Sequence, residues 1–293
     1  VAEPIPLDST WLREHPLPPP DPHGDKNARG RVFAVGGCAG VPGGLLLTAE
    51  AALRTGAGKV QAASVASSTL ALGIAMPEIG VIPLDDDEEG EIGGDLSPVE
   101  EAFRRCDAAI VGPAMYSAAT AGRIVDTLLA AKDCEAALVL DCAALMSLGR
   151  RASQLARRAP ATILTPHMGE MAAMLECETE DIEADRFGAV RRAADRFAAV
   201  VVLKGSTSLI ADPSGTMFAY AGGGVGLATG GSGDVLAGMA AGLAARGAEP
   251  LSAALWAVWL HGEAGRRCAE QIGPLGFLAR ELLAHVPGLM RAI

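Results

Sequence analysis

RVFAVGGCAGVPGGLLLTAEAALRTGAGKVQAAS, residues 31–64, decides the fold class. RVFAV at 31–35 is a short apolar run of strand length. GGCAGVPGG at 36–44 is a glycine-rich turn in which backbone can approach a ligand closely. LLLTAEAALRTG then reads as a helix ended by Gly56, and KVQAAS at 59–64 as a second strand. A strand, a loop, a helix and a strand in that order make a β-loop-α-β unit.

The alternation continues. DAAIVG (107–112) is a strand, TAGRIVDTLLAA a helix and ALVLD (137–141) a strand. ATILT (161–165) is a further strand, with a helix starting near His167. AAVVVLKG (198–205) is another strand. SLIADPSGTMFAY (208–220) reads as a hairpin turning at Asp212-Pro213-Ser214-Gly215. From Ser232 on, the pattern is mostly helical. These features predict an α/β fold, a mainly parallel central sheet with helices on both faces. Such sheets bind ligands beyond the carboxyl ends of their strands. One domain is expected over 1–293, with a Pro-rich, irregular lead-in at 1–28 and no boundary after residue 31.

Composition narrows the function. Half of the 293 residues are hydrophobic and only 4% aromatic, so the core must be Ala, Val, Leu and Ile. A net charge of −11 repels phosphate backbones and argues against nucleic-acid binding. The six cysteines include no CxxC pair, which argues against a zinc site or a disulfide framework and for a reducing, cytoplasmic setting. No stretch reads as a signal peptide. The most apolar late stretch, LSAALWAVWLHGEAG, is too short and interrupted to span a bilayer. DDDEEGEIGGD at 85–95 reads as a solvated acidic loop.

An anionic ligand therefore needs a local device, and GLATGGSGDVLAG at 226–238 supplies one. A helix starting near Asp234 leaves backbone N–H groups unpaired at its N-terminus. The helix dipole adds about half a positive charge there. Gly230, Gly231 and Gly233 open those groups to an anion, and Thr229 and Ser232 offer hydroxyls. Gly231, Ser232 and Gly233 are the expected anion hole. Asp234 is then placed to accept a proton from whatever attacks a bound phosphate; by itself it could equally cap the helix.

Two more stretches carry chemistry. In TPHMGE, Pro166 ends the strand, and His167 and Glu170 share a helix face. Glu170 could hold a water-shelled Mg²⁺ or reach back to the helix start as a capping box. In KGSTS at 204–208, Lys204 can meet a phosphate, as can the backbone N–H groups of the following turn; a hairpin turn with a solvated Lys is the alternative. His261 reads as a helix-packing residue.

GLATGGSGDVLAG, the opening strand, loop and helix of 29–60, LTPHMGEMAAML at 164–175, VVLKGSTSLIADPSG and WLHGEAG at 259–265 together resemble the ribokinase-like superfamily. More narrowly they resemble its YjeF C-terminal-type branch, the ADP-dependent NAD(P)H-hydrate dehydratases. The likeness runs through nearly all of 29–290. It implies ADP-dependent dehydration of the S-form of hydrated NADH or NADPH, releasing AMP and phosphate and repairing the cofactor. It implies Asp234 as the base, with Gly44, Ala114, His167 and Asp234 contacting the substrate. It implies Lys204, Gly205, Ser206, Thr207, Ser208 and Gly233 at the nucleotide and Mg²⁺ near Glu170. A homo-oligomer is expected, without nucleic-acid or membrane partners and without an epimerase-like domain in this chain. The alternative within the superfamily is an ATP-dependent kinase of a vitamin alcohol; His167, where kinases carry Asn, favours the dehydratase.

The chain also departs from that pattern. Ala114 and Tyr116 stand where the family's Gly-Pro-Gly-Leu-Gly loop has glycines, which narrows the site. Gly44 stands where Ala is usual. LDCAAL at 140–145 keeps Asp141 but has Ala143 in place of a second Asp, and the Asn usual before the Gly-Leu-Ala-Thr run is missing.

Overall fold

Alternate residues of the central strands feed two separate cores. In RVFAV, Val32 and Ala34 join one cluster and Phe33 and Val35 the other. Burial on both faces is what a continuous apolar run requires. The computed structural model describes residues 3–158 and 162–293. Its strands are β1 (Ile5–Pro6), β2 (Arg31–Val35), β3 (Lys59–Val65), β4 (Gly80–Leu84), β5 (Ala108–Val111), β6 (Ala137–Leu140), β7 (Thr162–Leu164), β8 (Val200–Leu203), β9 (Thr207–Ala211) and β10 (Met217–Ala221). They form one sheet in the order β1-β10-β9-β8-β7-β6-β5-β2-β3-β4. The seven strands from β8 to β4 in that order pair in parallel. β9 runs antiparallel to both β8 and β10. The architecture is the α/β fold expected, a ten-stranded, mostly parallel sheet.

One face carries the helices Gly43–Arg54, Ser232–Ala245 and Pro250–Gln271; the other carries Ala118–Ala130, Met168–Leu175 and Arg186–Phe197. The small residues of the Ser232–Ala245 helix have a packing reason. A Cβ on Gly238 would strike the Thr48 carbonyl, and one on Gly242 would strike Thr55 and the Ala52 carbonyl. The two helices therefore lie backbone to backbone, which brings both their N-termini to the same end of the sheet.

The structure departs from expectation in three places. The lead-in is not wholly irregular. β1 adds to the β10 edge, and Asp8 caps a helix at Ser9–Glu14 by accepting from the amides of Thr10 and Trp11. The cause is burial: Leu12 is fully enclosed and Trp11 packs edge-on to Phe218. The acidic loop is not wholly solvated. Glu91 and Ile92 are buried, and Glu91 Oε1 accepts from the amides of Tyr116 (2.8 Å) and Ser117 (3.1 Å). β4 and the Ala66–Ala75 and Arg186–Phe197 helices add to the expected elements. Ala161, the expected first residue of β7, lies outside the described residues. No helix of the structure is long and apolar enough to cross a membrane, among the described residues.

Candidate active site

Five neighbouring parallel strands, β2, β5, β6, β7 and β8, deliver their carboxyl ends to one place. From them follow Gly36–Gly44, the Gly112–Ser117 loop, Asp141, Thr165–Glu170 and Lys204 in turn. The Ser232–Ala245 helix completes the ring by pointing its N-terminus at them.

Asp141 sits at the centre and is fully buried. Its Oδ1 accepts from Thr165 Oγ1 at 2.8 Å and from Lys204 Nζ at 2.9 Å; its Oδ2 accepts from the Cys142 thiol at 3.3 Å. Lys204 Nζ also lies 3.5 Å from Glu170 Oε2. Burial alone would raise the Asp141 pKa, but the charge of Lys204 and the hydrogen bonds outweigh it and hold the carboxyl below its usual range. For Lys204, burial works against the charge, and Asp141 and Glu170 more than offset it, so the ammonium persists. Burial and the Asp141 charge push the Cys142 thiol up, so it stays protonated.

Asp234 stands in the helix's first turn. Burial, then the charge of Asp141, raises its pKa from 3.8 to about 6, while Lys204 and the nearby Ala114 backbone amide act the other way. It is therefore ionised at neutral pH yet close to the point where it accepts a proton. Its position differs from that of a mere cap: the residue before the helix is Gly231, at φ 87°, with no side-chain cap.

The first turn of this helix leaves amides open. Among the described residues, the amides of Gly231, Gly233 and Asp234 have no hydrogen-bond acceptor. A Cβ on Gly233 would lie 3.5 Å from Lys204 Nζ and 3.9 Å from Asp141 Oδ2, so this amide opens beside a cation. Ser232 departs from expectation. Its amide donates to Thr229 O and its hydroxyl meets His261 Nε2 at 2.9 Å, so it is turned into the fold. His261 packs as expected, and burial lowers its pKa to about 4, leaving the ring neutral. It fixes the first helical turn and adds no charge.

His167 and Glu170 form the capping box. His167 N donates to Glu170 Oε2 at 2.8 Å, and Glu170 N donates to His167 Nδ1 at 3.2 Å. The same Glu170 carboxylate, buried, also faces Lys204, so cap and site coincide in one residue. The His167 side chain is 60% exposed and free to meet a ligand.

The 204–208 segment divides. Gly205 and Ser206 form the exposed turn, while Thr207 and Ser208 already belong to β9 and pair with Ala221 and Tyr220. Lys204 is not the solvated lysine of a plain hairpin, because two carboxylates hold it beside Gly233. Arg186 braces the turn from behind by donating to Thr207 O at 2.6 Å. Gly44 and Ala114 both border Asp234. Ala114 narrows the site, whereas Tyr116 is 73% exposed and leans toward Gly40.

Asp141, Arg186 and Glu91 are members that sequence reasoning gave no role. Asp141 carried a usable signal, a carboxylate immediately after a buried strand; Arg186 and Glu91 carried none. Asp141, Cys142 and Glu170 offer ligand atoms within 4.8 Å of one another, the one such group among the described residues.

The arrangement is an oxygen-rich cluster with one lysine, a helix N-terminus with open amides, and a carboxylate beside it. A family model described as NAD(P)H-hydrate dehydratase matches residues 32–287. An ADP-dependent (S)-NAD(P)H-hydrate dehydratase of Xanthomonas campestris is 44% identical over 279 residues, covering 95% of this chain and 93% of that protein. A bifunctional NAD(P)H-hydrate repair enzyme of Moorella thermoacetica is 36% identical over 97% of this chain, which spans 53% of that longer protein. In structure, a Bacillus subtilis ADP/ATP-dependent NAD(P)H-hydrate dehydratase co-crystallised with ATP and Mg²⁺ superposes with TM-score 0.83 at 26% identity, over 99% of both chains. A hydroxyethylthiazole kinase of Pyrococcus horikoshii shares the fold at TM-score 0.58 and 20% identity, over 92% of this chain and 90% of that one.

Proposed function

This chain belongs to the NAD(P)H-hydrate dehydratase family, and from that premise we infer how its residues perform ADP-dependent dehydration of (S)-NAD(P)H hydrate. The hydrated ring carries a hydroxyl, and hydroxide leaves poorly. The hydroxyl oxygen attacks the terminal phosphorus of ADP, the bond to AMP breaks, and Asp234 takes the hydroxyl proton. Phosphate then leaves the ring carbon with its bonding electrons, the neighbouring ring carbon gives up a proton to water, and the electrons of that C–H bond restore the double bond. A base with a pKa of about 6 suits that proton transfer near neutral pH. The amides of Gly231 and Gly233, with Lys204 beside them, stabilise charge on the phosphoryl group in transit. His167 orients the hydrated ring with Gly44 and Ala114, and the Gly205–Ser206 turn binds the nucleotide. The observation that carries the reading is the open helix N-terminus with Asp234 in its first turn, facing Lys204.

The donor set fits Mg²⁺. Glu170 and Asp141 are hard oxygen ligands, and Lys204 already neutralises part of their charge, so a hydrated ion held through water on Glu170 suits the site. When bound it would neutralise phosphate charge. A homo-oligomer and a reducing, cytoplasmic setting complete the proposal; light scattering tests the first.

Hydrated NADH incubated with Mg²⁺ and either ADP or ATP separates the readings. Return of NADH absorbance with release of AMP and phosphate is the expected result. A product that keeps its phosphate, with no NADH formed, would mark a kinase instead.

A further inference from the structure

Two residues beside Asp234 break local rules in opposite senses. Ala114 carries a side chain at φ 55°, a left-handed conformation that disfavours every residue but glycine. Gly44 lies in the first turn of the Gly43–Arg54 helix, where backbone geometry makes no demand for glycine. One distance explains both. A Cβ built on Gly44 would stand 2.7 Å from the Cβ of Ala114 and 2.9 Å from Oδ2 of Asp234. Real Cβ atoms do not approach that closely, so this space holds one methyl group and a carboxylate, not two methyl groups and a carboxylate.

We propose that Gly44 and Ala114 form a one-methyl pair that positions the Asp234 carboxylate, the Ala114 methyl entering from the Gly112–Ser117 loop into the space that Gly44 leaves. The surrounding structure keeps that strained loop in place. Gly37 N donates to Pro113 O at 2.9 Å, and Met115 N to Gly112 O at 3.1 Å. Glu91, from the acidic loop, clamps the amides of Tyr116 and Ser117 on one carboxylate oxygen. Ser117 then caps the Ala118–Ala130 helix by accepting from Thr120 N. Over-determined on both sides, Ala114 cannot relax to an unstrained conformation. Its backbone amide lies close enough to favour the ionised Asp234 carboxyl, while its methyl bounds the space beside Gly44. Ala114 and Gly44 are thus positioning residues that act through Asp234. The proposal rests on Asp234 being the base.

A double-mutant cycle tests it, with kcat, KM for hydrated NADH and for ADP, and melting temperature measured for each protein. Gly44→Ala forces the carboxylate aside, and a displacement on the order of 1 Å lowers kcat by about 10–100-fold with the KM for ADP unchanged. Ala114→Gly frees the carboxylate and lowers kcat by about 3–10-fold without lowering the melting temperature, since the left-handed strain is gone. The double variant Gly44→Ala/Ala114→Gly moves the methyl to the other wall and restores kcat to within about threefold of the parent, a rescue that additive effects could not give. A purely structural role would lower melting temperatures and leave the kcat of folded protein unchanged. If Gly44→Ala does not fold, the double variant must still fold and turn over at that level. A Gly44→Ala protein with parental kcat, or a double variant no better than Gly44→Ala, overturns the pair. Asp234→Asn decides the underlying reading separately: if it retains more than half of the parental kcat, Asp234 is not the base, whatever the pair does.

Discussion

Asp234→Asn should stabilise the protein while it abolishes turnover. Burial and the neighbouring Asp141 lift the Asp234 pKa from 3.8 to about 6. The folded state therefore holds that proton more tightly than the unfolded chain does. Between about pH 4 and pH 6 the native state binds more protons, so stability falls as pH rises through that window. The lost stability is fully present below the unfolded value and gone above the folded one. By proton linkage a lift of this size corresponds to about 3 kcal/mol, and the solvent reaching this partly exposed carboxylate reduces it to about 1–2 kcal/mol. For a chain of this length that is a rise of about 2–3 °C in melting temperature. Calorimetry of both proteins without nucleotide or Mg²⁺, at intervals from pH 4 to pH 8, reads it directly. The two melting temperatures should converge near pH 4 and separate in favour of the Asn variant up to about pH 7. A variant that melts lower at pH 8, or a gap equal at pH 4 and pH 8, would refute the reasoning. The same carboxyl predicts that kcat/KM falls about tenfold per pH unit below pH 6.

Gly233→Val should fold normally, because a Cβ there meets only Lys204 and Asp141 at ordinary contact distances; it should lose ADP affinity, and calorimetry showing unchanged affinity would remove Gly233 from the site. His167→Ala should raise the KM for hydrated NADH with little change in Mg²⁺ dependence and lose about 1 kcal/mol of stability as a cap. Glu170→Gln should raise the Mg²⁺ requirement and lower kcat, and steady-state kinetics across Mg²⁺ concentrations separate the two variants. Lys204→Met leaves Asp141 buried without its cation and should cost about 3–5 kcal/mol; denaturant titration finding a loss under about 1 kcal/mol would show that Asp141 had taken up a proton instead.

The sequence made the sheet legible where strands were continuous apolar runs. RVFAV, DAAIVG and AAVVVLKG each lie close to an observed strand, because burial on both faces forces that composition. β1 escaped because two residues have no periodicity; only pairing with β10 makes Ile5–Pro6 a strand. In the site, the order of motifs was readable and their engagement was not. Ser232 and Gly233 are neighbours with equal claims on an anion, yet His261, twenty-nine positions away, takes the serine's hydroxyl. Lys204 could have been a solvated turn residue; Asp141, sixty-three positions earlier, decides otherwise. Such pairings are set by which strand ends adjoin, and strand order is not written in local pattern. Ala114 was visible as a departure, but its left-handed backbone and its nearness to Gly44 exist only in three dimensions.

The docking of residues 5–18 has a consequence for synthesis. Ile5 pairs with Phe218, the His15 carbonyl accepts from Trp256 Nε1, and the Pro18 carbonyl accepts from Arg246. Every one of these partners is translated more than two hundred residues later. On the ribosome the segment emerges well before these partners and stays without a seat until they leave the exit tunnel. Its closure therefore reports completion of the fold. A protease pulse directed at Arg13 during refolding should be resisted only after the Pro250–Gln271 helix has packed.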